Sequence, residues 1–256
     1  MNKLPISVCM ISGAEAHRIG KALASVAEWT SEIVVVLNEE VTDGTDKAAA
    51  AFGAKIFRET WRGYIAQKNS VADKASQPWL LGLDADEVVS DSLRQEIIEL
   101  FASAPTGVAY SFPRRSFYLG RWIGHGDWYP DRCIRLWAKG RARSGGVEPH
   151  AELQVDGPVL KLRHDLLHYS NESIDQQISK IVPFSADFVR HRLQNGGSAS
   201  MTDLAFRPAW RFFRAYVLRR GFLDGWPGFY IASLNAFSTL TRYAKVLESK
   251  KNLSEK

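Results

Sequence analysis

The sequence predicts an α/β fold with a mostly parallel central sheet, in which strands alternate with covering helices. Apolar, β-branched runs at residues 6–11, 33–37, 54–57 and 79–83 are separated by segments of helical pattern. These runs are apolar throughout, as strands covered on both faces are. Two polar clusters, at residues 38–43 and 84–87, fall where the second and fourth runs end. Ligands of parallel α/β sheets bind at those carboxyl ends.

The elements follow in order. Ser12, with Glu15 three residues on, is placed to cap a helix in which Ile19, Leu23 and Val26 recur at helical spacing as far as Trp29. Helices are expected over 48–52, 64–75 and 93–101, the last starting near Ser90. Past Pro105 the pattern changes: strands are expected at 108–112 and 133–137, a polar turn at 145–152, a strand pair at 153–155 and 159–162, and a helix over 173–192. Asn195-Gly-Gly-Ser198 is a break, and 208–248 is aromatic, basic and helical. The expected division is a catalytic domain over 1–200, with halves 1–105 and 106–200, and a helical extension over 201–256.

Composition narrows the classes. Among 256 residues, 45% are hydrophobic and 24% charged, which excludes a disordered or collagen-like chain. Two cysteines, Cys9 and Cys133, cannot build a disulfide framework or a cysteine zinc site and point to a reducing, cytoplasmic compartment. The apolar run near the N-terminus lacks the basic flank of a signal peptide, and no run of 18 apolar residues suggests a membrane span. The net charge of +5 is unevenly spread: residues 114–143 carry eight basic residues against two carboxylates, and 207–220 carry five arginines and none. Clustered basic charge points to anionic partners.

The chemistry-bearing residues are few. Asp84-Ala85-Asp86 places two carboxylates at a strand end, where they repel unless a cation lies between them. Mg²⁺ or Mn²⁺ takes such oxygens together with substrate phosphates, although a solvated acidic turn has the same sequence. Asn38 or Glu39 could accept from a ribose or a base edge, and Thr42-Asp43-Gly44 is also ordinary turn chemistry. Lys68 could reach a phosphate or cover a solvated helix face.

Taken in order, Ser7-Val-Cys-Met-Ile-Ser12 with Glu15 and Gly20, Glu32-Ile-Val-Val-Val36, Thr42-Asp-Gly-Thr45, Phe52-Gly-Ala-Lys55, Gln67-Lys-Asn69 and Asp84-Ala-Asp-Glu87 resemble glycosyltransferase family 2. That resemblance implies the nucleotide-diphospho-sugar transferase (GT-A) fold. Arg114-Arg115, Gly120-Arg-Trp122, residues 125–132, Arg135-Leu136, residues 166–170 and residues 216–225 are similar to the lipopolysaccharide core transferases of that family.

The resemblance implies inverting transfer of a hexose, commonly glucose, from a UDP-sugar to the inner core of lipopolysaccharide. Asp84 and Asp86 would hold the metal. Glu15, Asn38, Glu39, Asp43, Lys68 and Asp84 would contact the donor. Two motifs depart from the family: Gly13-Ala14-Glu15 stands for Lys-Asn-Glu, and Asn38-Glu39-Glu40 for Asp-Ser-Gly or Asp-Asp-Gly.

An inverting transfer needs a general base within hydrogen-bond reach of the acceptor hydroxyl. The candidates are Glu152, Asp131 and His150, near the place where related enzymes carry Val-His-Glu. Tyr118, Trp122, Trp128 and Tyr129 among arginines suit sugar rings bearing phosphate or carboxylate, and no nucleic-acid motif accompanies them. The basic aromatic tail suits either the headgroup region of an anionic leaflet, on the inner face of the cytoplasmic membrane, or packing on the catalytic domain. The rival readings are transfer to another polysaccharide or glycolipid and a catalytically silent nucleotide-sugar or membrane-binding protein.

Overall fold

The computed structural model describes residues 2–148, 150–169 and 173–254, with backbone alone at 150 and 250–254. It divides into two compact units, one of residues 1–114 and 132–169, the other of 115–131 and 170–256. The chain thus enters the second unit twice, which a linear division at residue 200 does not express.

The first unit begins β1 (Leu4–Ser12), α1 (Ile19–Ala24), β2 (Thr30–Asn38), α2 (Thr45–Ala50), β3 (Lys55–Glu59), α3 (Tyr64–Lys74) and β4 (Trp79–Gly82). β1 pairs in parallel with β2 and β4, and β2 with β3, giving the order β3-β2-β1-β4. There follow β5 (Glu87–Val89), α4 (Asp91–Ala102), β6 (Ala109–Tyr118), then β7 (Arg121–Trp122), which belongs to the second unit, and β8 (Asp131–Ala138). β8 lies antiparallel to β4. β9 (Ala142–Val147) and β10 (His150–Val155) form a hairpin of their own. β11 (Val159–Lys161) runs parallel to β6, and β12 (Leu166–His168) antiparallel to β5.

Alternation along β1 and β2 explains the unbroken apolar runs. Ile6, Val8 and Met10 join Ile33 and Val35 against Leu23 of α1 and Leu93 and Ile97 of α4. On the opposite face Cys9, Val34 and Val36 meet Val71 of α3, Leu80 and Trp137. Period-two side chains therefore fill two cores from one sheet.

Four local expectations differ from the structure. The strands at 153–155 and 159–161 do not pair with each other: β10 pairs with β9, and β11 with β6. Ser12 does not cap α1: β1 extends through it, and its hydroxyl donates to the Gly13 carbonyl oxygen at 3.1 Å. α1 ends at Ala24, and hydrogen-bonded turns carry the chain to Trp29. Most of the segment read as a turn at 145–152 belongs to the β9–β10 hairpin, where glycines concealed the strand pattern. Ser90 does cap α4, accepting from the Leu93 N–H at 3.1 Å.

The second unit contains the end of β6, β7, α5 (Ile174–Ser179), α6 (Ile181–Gln194), α7 (Met201–Phe213), a π-turn at Arg214–Leu218, a 3₁₀ turn at Gly221–Asp224 and α8 (Gly225–Ser254). Tyr118, Ile123 and Ile231 form its small core. Two buried carboxylates organise it. Asp224 accepts from the backbone N–H groups of Gly124 at 3.2 Å and His125 at 2.8 Å. Asp127 meets Arg211 at 2.5 Å and Arg214 and Arg219 at 3.1 Å. Gly228 allows the 3₁₀ turn to approach α8, because a Cβ there would sit 1.9 Å from the Gly221 carbonyl oxygen.

Candidate active site

The site is built at the carboxyl ends of β1 and β4. Beyond β4 the Leu83 N–H still donates to the Cys9 carbonyl at 3.1 Å, so the chain leaves the sheet only at Asp84. On the antiparallel neighbour Leu136 lies opposite Leu81, which brings the preceding Arg135 to the end of β4. There Arg135 Nη2 donates to Asp84 Oδ2, and to Glu87 Oε1 at 2.6 Å. Glu87 is wholly buried, and its Oε2 accepts the Asp84 N–H at 3.1 Å. Arg114 Nη1 lies 3.4 Å from Glu87 Oε1.

Asp86 is placed by a second register. β12 sets His168 opposite Glu87, and the Tyr169 N–H donates to the Asp86 carbonyl at 2.8 Å. His168 Nε2 then lies 3.3 Å from Asp86 Oδ2, with Arg18 Nη1 at 3.7 Å from the same oxygen. Both carboxylates are ionised. Burial alone would raise Asp84, but the positive charges of Arg135, Lys68 and Arg114 hold it well below the usual carboxylate range. Burial opposes ionisation of Asp86 as well and is overcome by the hydrogen bond and charge of His168, with help from Arg18.

Two cavities meet here. One, of about 400 Å³, is lined by Ser12, Glu15, Trp61, Lys68, Asp86 and His168, among others. The other, of about 500 Å³, is lined by Arg114, Arg132, Arg135, Trp137, Ser144 and Glu152, among others. Asp84, Lys68 and Ile11 border both. Cys9 borders the larger cavity, but burial and the nearby Glu32 push its thiol up to about 12, so it is no nucleophile at neutral pH.

The remaining sequence candidates lie as follows. Glu15 lines the smaller cavity and is paired with Arg18, whose Nη2 is 2.6 Å from its Oε1. Asn38 ends β2, and its Oδ1 accepts the Glu40 N–H at 3.4 Å. Glu39 is exposed and accepts from the Thr60 hydroxyl at 2.7 Å. Asp43 accepts from the Ala16 N–H at 3.1 Å and the Thr45 N–H at 3.0 Å, tying the loop after β1 to the start of α2. None of these last three lines either cavity. Glu152, on β10, shares the larger cavity with Asp84. Asp131 opens β8 in the second unit, and the side chain of His150 lies outside the described residues, as does Ser170 of the 166–170 motif.

The sequence reading quoted Glu87, Arg135 and His168 within motifs but gave them no part in the Asp84–Asp86 turn, and it gave Arg18 no role. Their signal is pairing register rather than spacing: residues 135 and 168 reach the Asp84–Asp86 turn only once β8 and β12 are set beside β4 and β5.

Asp84 and Asp86 supply hard oxygens to a shared cavity, a donor pair that suits Mg²⁺ or Mn²⁺, while His168 Nε2 is turned to Asp86. Among the described residues no group of three or more His, Cys, Asp or Glu side chains is placed to hold an ion by itself. A cation at such a site takes further ligands from phosphate and water, as Mg²⁺ commonly does.

Residues 7–157 match the family model described as glycosyl transferase family 2. An uncharacterized glycosyltransferase of Rickettsia typhi is 32% identical over 95% of this chain and 87% of its own length. The lipopolysaccharide core biosynthesis glycosyltransferase LpsC of Rhizobium meliloti is 29% identical over 99% of this chain and 97% of its own. Among solved structures, the Pyrobaculum calidifontis mannosyltransferase PcManGT in complex with GDP-Man and Mn²⁺ is similar in fold. Its TM-score is 0.55 at 14% identity, over 98% of this chain and 89% of that one.

Proposed function

Because this chain belongs to glycosyltransferase family 2 and is a GT-A-fold glycosyltransferase, we propose that it moves a hexose, glucose in the first instance, from a UDP-sugar to an anionic sugar acceptor of the lipopolysaccharide core type, with inversion. The observation that carries this reading is the Asp84–Asp86 pair at the end of β4, facing a cavity that Lys68 also lines. The relative LpsC, similar over nearly the whole chain, supports the acceptor class.

In this reading Asp84 and Asp86 would hold a divalent cation, which would supply Lewis-acid neutralisation of the departing diphosphate, and His168 would position Asp86. Lys68 adds a point charge toward the same phosphates. Arg135 keeps Asp84 ionised and fixed in direction, and Glu87 holds the Asp84 backbone N–H, so the carboxylate needs no reorganisation when donor arrives. Glu152 takes the proton from the acceptor hydroxyl, since it shares with Asp84 the cavity into which an acceptor would reach. Asp131 and His150 are the alternative bases. Arg114 and Arg132 line that cavity and suit phosphate or carboxylate groups on the acceptor.

The test is transfer of labelled glucose from UDP-glucose to lipopolysaccharide cores truncated at successive positions. Product on one truncated core and none on an uncharged oligosaccharide supports the reading. Hydrolysis of UDP-glucose with no transfer to any core overturns the acceptor assignment.

A further inference from the structure

The second unit carries a feature that sugar transfer does not require. Along α7 and the π-turn, Phe206, Trp210, Phe213 and Val217 recur every three to four residues, and all are exposed, Phe206 at 73%. On α8, Trp226, Phe229, Phe237 and Leu240 form a second stripe on one helical face, again exposed. Leu218, Phe222 and Leu223 lie exposed on the turns between. Tyr216 stacks on Phe212 at 5.3 Å between ring centroids and meets Phe229 at 5.5 Å, edge to face, and Phe222 at 6.2 Å. Monomeric proteins rarely expose this many large apolar side chains on neighbouring elements without a partner for them.

The surrounding charge says what that partner is. Residues 204–247 contain seven basic side chains and a single carboxylate, Asp224. Asp224 is buried and turned to the backbone of Gly124 and His125, so it contributes no acidic surface. Asp127, itself buried, gathers Arg211, Arg214 and Arg219. One carboxylate against three guanidinium groups leaves two positive charges in excess on α7 and the turn after it, the elements that carry the first stripe. Tryptophan and phenylalanine flanked by arginine on a helix surface are the chemistry of the headgroup–acyl boundary of an anionic bilayer. Among the described residues no helix is long and apolar enough to cross a membrane.

We propose that the aromatic face of α7, the turns after it and α8 docks on an anionic lipid leaflet, lying in its interface while the arginines meet headgroup phosphates. The aromatic rings supply buried apolar area, and the Asp127-gathered arginines supply selectivity for acidic lipid. This docking needs neither donor nor acceptor, so it stands apart from the transfer reaction.

The experiment is co-sedimentation of the full-length protein with phosphatidylcholine vesicles, with and without phosphatidylglycerol, in the absence of nucleotide sugar. Binding to phosphatidylglycerol vesicles that weakens as salt is raised is expected. In the triple variant Trp210→Ser, Phe213→Ser, Trp226→Ser the partition coefficient should fall at least about tenfold, because interfacial binding scales with buried apolar area. All three residues are exposed, so the circular dichroism of that variant should match the wild type. Arg220→Glu, a charge change alone, should weaken binding to phosphatidylglycerol vesicles and leave the secondary structure intact. Equal binding to neutral and anionic vesicles would overturn the proposal. So would no vesicle binding, including the case in which light scattering shows a dimer that the triple variant dissociates, since a second copy would then cover the face.

Discussion

At the scale of single residues, the account makes Asp86 and Glu152 do different work. Asp86→Ala removes one side of the cation site, and sugar transfer should fall by at least about a hundredfold, because Lewis-acid neutralisation is worth several kcal/mol. UDP-sugar hydrolysis should fall with it. Glu152→Gln should lower transfer by about 10²- to 10⁴-fold, the usual contribution of a general base. Donor binding, measured by calorimetry, should be unchanged, because Glu152 borders the larger cavity and not the smaller. A Glu152→Gln enzyme with normal transfer would move the base to Asp131 or His150. The pair Asp84 and Asp86 was legible in the sequence because its chemistry lies in two residues at a strand end. The contacts of Arg135 and His168 with that pair were not, since strand pairing brings these residues there across separations of 51 and 82 residues.

At the scale of elements, the sheet rests on a buried carboxylate. Glu32, in β2, accepts from the Ser76 N–H at 2.7 Å, pairs with Lys55 at 2.7 Å and bonds the Ser7 hydroxyl of β1. Burial would raise its pKa, but the bonds from Lys55, Ser7 and Ser76 lower it to about 2. A carboxyl with a depressed folded-state pKa stabilises the fold fully above its unfolded value of about 4.3 and loses that contribution as pH falls toward 2. Glu32→Gln should therefore cost about 1–3 kcal/mol at pH 7, the cost of unmaking buried hydrogen bonds. Thermal melts should show the gap to wild type closing between pH 5 and pH 2. Ser90→Ala should cost about 1 kcal/mol through the lost cap of α4, read from the urea midpoint.

Elements with strong periodicity, such as the apolar strands and α3 and α4, were visible from sequence. The β9–β10 hairpin was not, because Gly145 and Gly146 supply no side-chain pattern. The early end of α1 was equally hidden, since its apolar spacing continues to Val26 while the hydrogen bonds tighten into turns.

At the scale of the whole molecule, the α/β class was readable because a chain of apolar strands and helices leaves few sheet arrangements open, and the family was readable only as a resemblance carried by the order of its motifs. The discontinuous second unit was not readable. Residues 115–131 lie far in sequence from 170–256, and what joins them is Asp127 and Asp224, two acids that look like loop residues until their arginine and backbone partners are in place. Asp127→Asn should loosen the second unit, because it leaves three guanidinium groups with no carboxylate to gather them. Hydrogen exchange should quicken in α7 and the π-turn, with β1–β4 unaffected.

The most direct measurement is calorimetric titration of UDP into the wild-type protein and Asp86→Ala, each with Mn²⁺ and with a chelator. Saturable binding by the wild type with Mn²⁺, lost with the chelator and lost in Asp86→Ala, is the predicted result. Equal UDP affinity with and without the cation, or full affinity in Asp86→Ala, would contradict a cation held at the end of β4 against the donor diphosphate.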